Sequence, residues 1–482
     1  MEITIPQINL NTVTPEIILA LFGMLVLLAG VFSIRSGRDN LGYIALFGVL
    51  AGGYAVSCGW GNVESSFSGM WIVDDFSRFF KLIILLGTGL TILVSVNYIE
   101  KEKISPGEFY SLLLFTSVGM MVLCSAADLI TVFLGVELMS ICLYVLAGVS
   151  RNRSASIESA LKYFILGSFA SGFLLYGMAL LYGATGTTTL RAIGDSMVQN
   201  QMNSKLLLMA MVLLVVGFAF KVALVPFHMW SPDVYDGAPA PIAGFMSAGP
   251  KAAAFAAFIR VFSDSLPLLK HYWTDLFWVL AVITMTVANI TALRQERIKR
   301  MLAYSSVSHA GFVLIGLVAG TPDGISSMLY YLLAYTFMNV GAFAVITVIA
   351  GAGEKRVMVK DYAGLWKTNP LLTVTMTIFL FSLAGIPPMG GFVAKFYVFA
   401  AAIKSGYVWL AILGILNSVV AVYYYLRISV MMYMSEPRNE RPSLQVSPAM
   451  AVALIISVYG VLKMGIIPSD YITYAYASVL RF

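Results

Sequence analysis

Three lysines, Lys221, Lys251 and Lys395, stand in the middle of long apolar runs, and Glu137 is the one carboxylate well inside such a run. A charged side chain at that depth costs about 2.5–3.5 kcal/mol on insertion scales, so these groups must be hydrated, paired or neutral for part of the time. Desolvation favours a neutral amine and a nearby carboxylate favours an ammonium. A buried lysine can therefore take up or release a proton as a carboxylate approaches or withdraws. Lys162 is the expected cationic partner of Glu137, because a short loop joins their two segments; Glu158, one helical turn before Lys162, is an alternative partner. His309, in Ser-Ser-Val-Ser-His-Ala-Gly at 305–311, has the reference pKa of about 6.5 that suits a relay. His228 reads as part of an entry path. On these residue types Lys221 is the central proton store, Lys251 and His309 pass the proton on, and Lys395 releases it.

The elements that carry these lysines are interrupted. Pro226 lacks the N–H that would bond the Val222 carbonyl, so the helix must kink or break beside Lys221. The run 383–395 repeats the arrangement: Pro387 and Pro388 free the carbonyls of Leu383 and Ala384, Gly390 and Gly391 loosen the chain, and Lys395 follows one turn later. Irregular backbone at membrane depth is tolerated only where it is buried in protein or lines a wet cavity. Two such breaks in corresponding halves point to an inverted-repeat transporter.

The composition agrees. The 482 residues are 59% hydrophobic and 11% charged, with mean hydropathy +0.86, where a soluble domain is about 45–50% apolar and about 25% charged. A soluble globular fold is excluded. The net charge of +6 does not indicate nucleic-acid binding, because the basic residues are dispersed. Cys58, Cys124 and Cys142 show no C-x-x-C spacing, so no cluster, zinc site or disulfide framework is expected; no metal and no cofactor site is assigned to this chain. Residues 1–15 hold no Lys or Arg, so the first apolar run is expected to be a span rather than a cleaved leader.

Apolar windows of about 20 residues give an all-α polytopic membrane protein with about fourteen spans, of which the seventh and twelfth are discontinuous. Spans 4–8 and 9–13 form two five-helix repeats; five is odd, so the copies enter the membrane from opposite sides. The expected organisation is a single membrane domain: 1–105 with three leading helices, 106–264 and 265–432 as the repeats, and 433–482 with a closing helix. Sixteen basic residues fall in one set of loops: Arg35, Arg38, Lys101, Lys103, Arg151, Arg153, Arg294, Arg297, Lys299, Arg300, Lys355, Arg356, Lys360, Lys367, Arg438 and Arg441. Only Arg191, Lys270, Lys404 and Arg481 fall on the other side. This bias places both termini on the non-cytoplasmic side. Arg78, Lys205, Arg260 and Lys463 lie near span ends and read as snorkelling to the interface.

Three stretches carry a family resemblance: Phe-Leu-Gly-Val-Glu-Leu at 133–138, Phe-Lys-Val-Ala-Leu-Val-Pro-Phe-His-Met-Trp-Ser-Pro-Asp-Val-Tyr at 220–235 running into Gly-Ala-Pro-Ala-Pro, and Ala-Gly-Ile-Pro-Pro-Met-Gly-Gly-Phe at 384–392. Over nearly its whole length the chain resembles the antiporter-like subunits of respiratory complex I, the bacterial NADH–quinone oxidoreductase. It is most similar to the subunit N type, since it ends after about fourteen spans without a long lateral helix and has Lys395 where subunit M carries a glutamate. The resemblance implies that Glu137 and Lys221 are a coupling pair, Lys162 its modulator, Lys251 the connecting lysine and Lys395 the outlet. It implies a bacterial inner-membrane location in a membrane arm beside other antiporter-like subunits. Activity then belongs to an H⁺-transporting NADH:quinone oxidoreductase assembly, with FMN, iron–sulfur clusters and quinone held by partner subunits and no redox chemistry in this chain. The alternatives are a subunit of a multisubunit Na⁺/H⁺ antiporter, which shares these motifs, and an independent transporter of an organic solute, which would need a substrate pocket at the helix breaks.

Overall fold

A computed structural model describes residues 8–32, 40–200, 204–436 and 444–480; Arg35, Arg38, Arg438, Arg441 and Arg481 lie outside the described residues. The chain runs α1 (Thr14–Phe32), α2 (Leu41–Cys58), α3 (Asp75–Glu102), α4 (Pro106–Ser125), α5 (Leu129–Ala147), α6 (Ser154–Thr185), α7 (Leu190–Asn200), α8 (Ser204–Val222), α9 (Trp230–Gly237) and α10 (Ala240–Arg260). It continues with α11 (Lys270–Leu293), α12 (Ile298–Ala319), α13 (Pro322–Ala350), α14 (Leu365–Thr368), α15 (Pro370–Ala384), α16 (Gly390–Lys404), α17 (Val408–Met434), α18 (Pro448–Ile466) and α19 (Ser469–Leu480). Among the described residues 13 helices are long and apolar enough to cross a membrane. The broken pair α15 and α16 supplies one further crossing, which gives the fourteen expected.

Helix ends follow local chemistry. Asp74 accepts from the Ser77 amide and the Ser77 hydroxyl accepts from the Asp74 amide, a capping box that starts α3. Pro occupies the first turn of α4, α13, α15 and α18, where its missing N–H is not needed. Gly385, at φ 86°, closes α15 in the left-handed conformation.

The centre is built from α10, α12 and α13. Every residue of α10 is buried, and its run of Ala and Gly lets neighbouring backbones approach closely. Ser247, one turn before Lys251, is taken up by the Gly244 carbonyl and Asn339, and the partner of Lys251 comes from another helix. By contrast α1, α2, α6 and α17 present rows of exposed Leu, Ile, Val and Phe, the surface a bilayer or neighbouring helices would cover.

Besides the single turn α14, three features lie outside the fourteen spans. A short hairpin pairs β1 (Glu64–Ser66) with β2 (Trp71–Val73), with Ser66 opposite Trp71. The loop between the sixth and seventh spans folds into α7, and α19 follows α18 in the last segment. Two expectations are corrected. Arg78 and Arg260 do not snorkel: both are buried, Arg78 beside Asp75 at 3.3 Å and Arg260 beside Asp74 at 3.0 Å. Burial in protein leaves them no route to the interface, and the Asp residues at the start of α3 compensate their charge. Lys299 and Arg300, assigned to a loop, lie in the first turn of α12, and Lys299 is fully buried. At the start of the first span, Glu16 in the first turn of α1 is buried 2.8 Å from Lys81 of α3.

Candidate functional site: a buried row of lysines

The seventh span breaks where Pro226 requires it. α8 stops at Val222, Ala223 takes φ 60°, and the chain resumes as α9 at Trp230. A left-handed non-glycine residue costs about 1–2 kcal/mol, and contacts from the surroundings hold it there. The Val225 amide donates to Thr284 Oγ1 of α11 at 3.0 Å, and the Trp230 indole donates to the Phe220 carbonyl at 3.0 Å. Lys221, in the last turn of α8, is thereby pinned facing α5, where its Nζ donates to Ser140 Oγ at 2.8 Å. Glu137 stands one turn before Ser140, within Coulombic reach of Lys221. Its Oε1 is buried and accepts no hydrogen bond among the described residues.

Lys162 does not pair with Glu137. Its Nζ lies 2.7 Å from Glu158 and 2.9 Å from Asp233 of α9, and Asp233 also binds Arg300 at 2.6 Å. The half-helix beyond the break brings Asp233 against α6, so Lys162 reaches the broken span itself rather than α5. His228 sits within the break, half-buried, its ring 6.3 Å from Tyr304. Its Nδ1 has no partner among the described residues.

Lys251 reaches across to α12, where Nζ donates to the Ser306 carbonyl at 2.6 Å and to its hydroxyl at 2.7 Å. One turn along, His309 Nδ1 is 2.6 Å from the Tyr331 hydroxyl and Nε2 is 3.3 Å from the Tyr425 hydroxyl. Tyr425 in turn bonds Ser305. Lys395 closes the row at the second break: Nζ donates to the carbonyls of Leu383 and Ala384, at 3.1 and 3.0 Å, and to Ser418 Oγ at 2.8 Å. Gly390 and Gly391 form the first turn of α16, and the Gly391 amide donates to Ser382 Oγ at 3.1 Å. The Phe312 ring, 4.9 Å from Lys395 Nζ and 5.9 Å from the His309 ring, separates these two members.

Every lysine of the row therefore meets neutral hydroxyls or carbonyls, and none of Lys221, Lys251 and Lys395 has an ion-pair partner within 4 Å among the described residues. Glu137 acts on Lys221 from a distance, but no anion in contact fixes the charge of these ammonium groups, so the site suits proton exchange. Among the described residues no group of three or more His, Cys, Asp or Glu could hold a metal ion. The sequence marks out the lysines and His309 but not the lysine acceptors Ser140, Ser306 and Ser418 or the histidine's partners Tyr331 and Tyr425. The hydroxyl run at 305–308 is the one local signal for them.

Two helices broken beside buried lysines, joined by a polar row through a fourteen-span bundle, define an antiporter-like proton-channel subunit. Residues 126–421 match the family described as NADH:quinone oxidoreductase/Mrp antiporter, TM. Within it, the chain is 50% identical to NADH-quinone oxidoreductase subunit N of Trichlorobacter lovleyi over 99% of both chains. It is 42% identical to the subunit N of Chloroflexus aggregans, over 97% of this chain and 96% of that one. A chain of respiratory complex I from Thermus thermophilus superposes with TM-score 0.82 at 33% identity, covering 95% of this chain and 98% of that one. The Mrp complex from Dietzia sp. DQ12-45-1b shares the fold, with TM-score 0.83 at 22% identity over 98% and 97%. The chain belongs to the NADH-quinone oxidoreductase subunit N family.

Proposed function

We propose that this chain is the subunit N of a bacterial NADH–quinone oxidoreductase and moves protons across the membrane through Glu137, Lys221, Lys251, His309 and Lys395. The observation that carries the reading is the acceptor set of the three lysines: hydroxyl and carbonyl oxygens with no carboxylate in contact. Lys221 stores the proton and Glu137 sets its occupancy by turning toward or away from it. Lys162, held on Asp233 of the broken span, adjusts that pair by moving α9. Lys251 and His309 carry the proton along the middle of the bundle, water bridges the Phe312 ring, and Lys395 releases it. His228 lies at the entry side of the first break.

Segments 106–264 and 265–432 act as repeats: each has its fourth span broken, and in each the first two helices, α4 with α5 and α11 with α12, pack together. The three helices of 1–105 and the helices of 433–482 flank them. The basic loops face the cytoplasm and both termini the other side of the inner membrane. Other membrane-arm subunits cover part of the exposed apolar surface. The flavin, iron–sulfur and quinone chemistry belongs to partner subunits of the assembly, so this chain contributes translocation to an H⁺-transporting oxidoreductase without redox steps of its own.

The test is Lys221→Ala in the assembled complex, assayed in inside-out vesicles for NADH-driven proton uptake. Uptake is abolished while the chain remains inserted and the complex retains its flavin and iron–sulfur clusters; unimpaired pumping overturns the proposal.

A further inference from the structure

A second buried charge cluster lies under the row, on the face that carries the basic loops. Glu354 follows α13 in the turn Gly-Ala-Gly-Glu, and its carboxylate is fully buried. Oε1 accepts from the Tyr98 hydroxyl of α3 at 2.8 Å and from the Ala240 amide at 2.6 Å. Oε2 lies 2.7 Å from Lys299 Nζ and 3.2 Å from Arg153. Lys299 also donates to the Ala238 carbonyl at 2.6 Å, in the linker between α9 and α10 that separates Lys221 from Lys251. Glu354 takes φ 46°, a conformation a non-glycine residue adopts at a cost, and such residues gather where the surroundings enforce a function.

Beside this cluster a cavity of about 470 Å³ opens between the ends of α3 and α13 and the start of α18, lined by Asn97, Tyr98, Lys101, Glu102, Thr347 and Ser447. The cavity is open to the surface, and Asn97, Lys101, Glu102 and Ser447 give water its polar partners there. Tyr98 thus has its hydroxyl on Glu354 and also lines the wet side. On the inner side, Ser306, which holds Lys251, lies seven residues beyond Lys299 on the same helix, about 10 Å along it. Tyr235 of α9 reaches the same Ser306.

Resting on the relay reading above, we propose that Tyr98, Glu354 and Lys299 form the cytoplasmic proton intake of this subunit, feeding the row at Ser306 and Lys251. Lys299 passes a proton inward through water toward Tyr235 and Ser306 and becomes a neutral amine. The Tyr98 hydroxyl gives its proton to Glu354 and regains one from cavity water, and the Glu354 carboxyl delivers its proton to Lys299. Hydroxyl, carboxylate and ammonium end as they began, one proton having moved inward. Arg153 keeps the emptied carboxylate charged and in place.

The experiment uses the assembled complex in inside-out vesicles, whose outer surface is the cytoplasmic face. Glu354→Gln preserves side-chain size and lowers the initial rate of NADH-driven proton uptake at least five-fold. Asn97→Cys, placed in the cavity wall outside the cluster, pumps as the parent does until a bulky membrane-impermeant thiol reagent is added, after which uptake falls by a similar factor. Parent rates in an assembled Glu354→Gln complex, or in the labelled Asn97→Cys complex, overturn the intake. If Glu354→Gln does not assemble, the labelled cysteine decides alone. Loss of pumping in Lys221→Ala together with normal pumping in both intake tests rejects the intake and leaves the relay standing, whereas pumping in Lys221→Ala rejects the relay itself.

Discussion

The ammonium of Lys395 lies 3.0 Å from the Ala384 carbonyl, the acceptor that Pro388 deprives of its helical donor. With its second bond to the Leu383 carbonyl, Lys395 replaces both amides that the Pro-Pro pair removes. The lysine thus plugs the broken helix, and this structural role is separable from the proton-carrying role proposed for it.

Lys395→Arg keeps a cation and several donors for the two carbonyls, but a guanidinium does not deprotonate. The variant complex assembles with thermal stability near the parent's and fails to pump. Lys395→Met leaves both carbonyls buried without a donor, about 1–3 kcal/mol for each unsatisfied group, so it loses stability as well as pumping. Thermal unfolding of the purified complex, read beside proton uptake in vesicles, checks the pair; full pumping in Lys395→Arg rejects a deprotonating role.

The second break depends on the absence of a side chain at Gly391. A Cβ there would fall on the Ser382 carbonyl, which is backbone and cannot swing away. Gly391→Ala must push α16 off α15, and overpacking of this kind costs about 1–3 kcal/mol. The expected result is a lower unfolding temperature together with reduced pumping, because Lys395 moves with α16. A variant that unfolds and pumps like the parent would show that the two half-helices are not closely held.

The lysines and the breaks are legible from sequence because a charge in an apolar run and a proline in a helix signal themselves at any rotation of the helix. Their partners are not. α5 and α6 are apolar nearly all round, so nothing in the sequence says which side of α5 Glu137 occupies or which neighbour Lys162 meets. Of the two partners of Lys162, Glu158 is legible one turn before it, but Asp233 comes from 71 residues away in a stretch that reads as a loop. Ser418 and Tyr425 are ordinary residues of α17 until the packing of α15, α16 and α12 brings lysine and histidine to them. Glu354 looks like a surface loop residue among glycines; only the convergence of four elements buries it.

On α17, next to the row's Ser418 and Tyr425, the Asn417 carbonyl accepts from Asn289 of α11 at 3.0 Å, and Asn289 accepts from the Tyr424 hydroxyl at 3.0 Å. Such polar bolts in membrane bundles contribute about 0.6 kcal/mol each on average. Asn289→Leu loses both and removes the acceptor of the Tyr424 hydroxyl, for an expected loss of about 1–2 kcal/mol, seen as a drop of a few degrees in the unfolding temperature. Pumping per assembled complex stays at the parent level, and a selective loss of pumping would place this bolt within the transport path.

Glu354 gives a pH signature that its burial alone would invert. Desolvation pushes its carboxyl up, but Lys299 and Arg153, with the Ala240 amide, outweigh it and hold the group below the usual carboxylate range. A folded-state value below the unfolded one, about 4.3 for glutamate, stabilises the folded chain fully above that pH, and the contribution is lost as pH falls through the folded value. Glu354→Gln lacks this contribution at every pH. The parent complex should therefore unfold at a higher temperature than the variant at pH 7, and the gap should narrow as the pH is lowered from about 5 towards 3. A gap that stays constant or widens on acidification would mean that Lys299 and Arg153 do not govern the charge of this carboxylate.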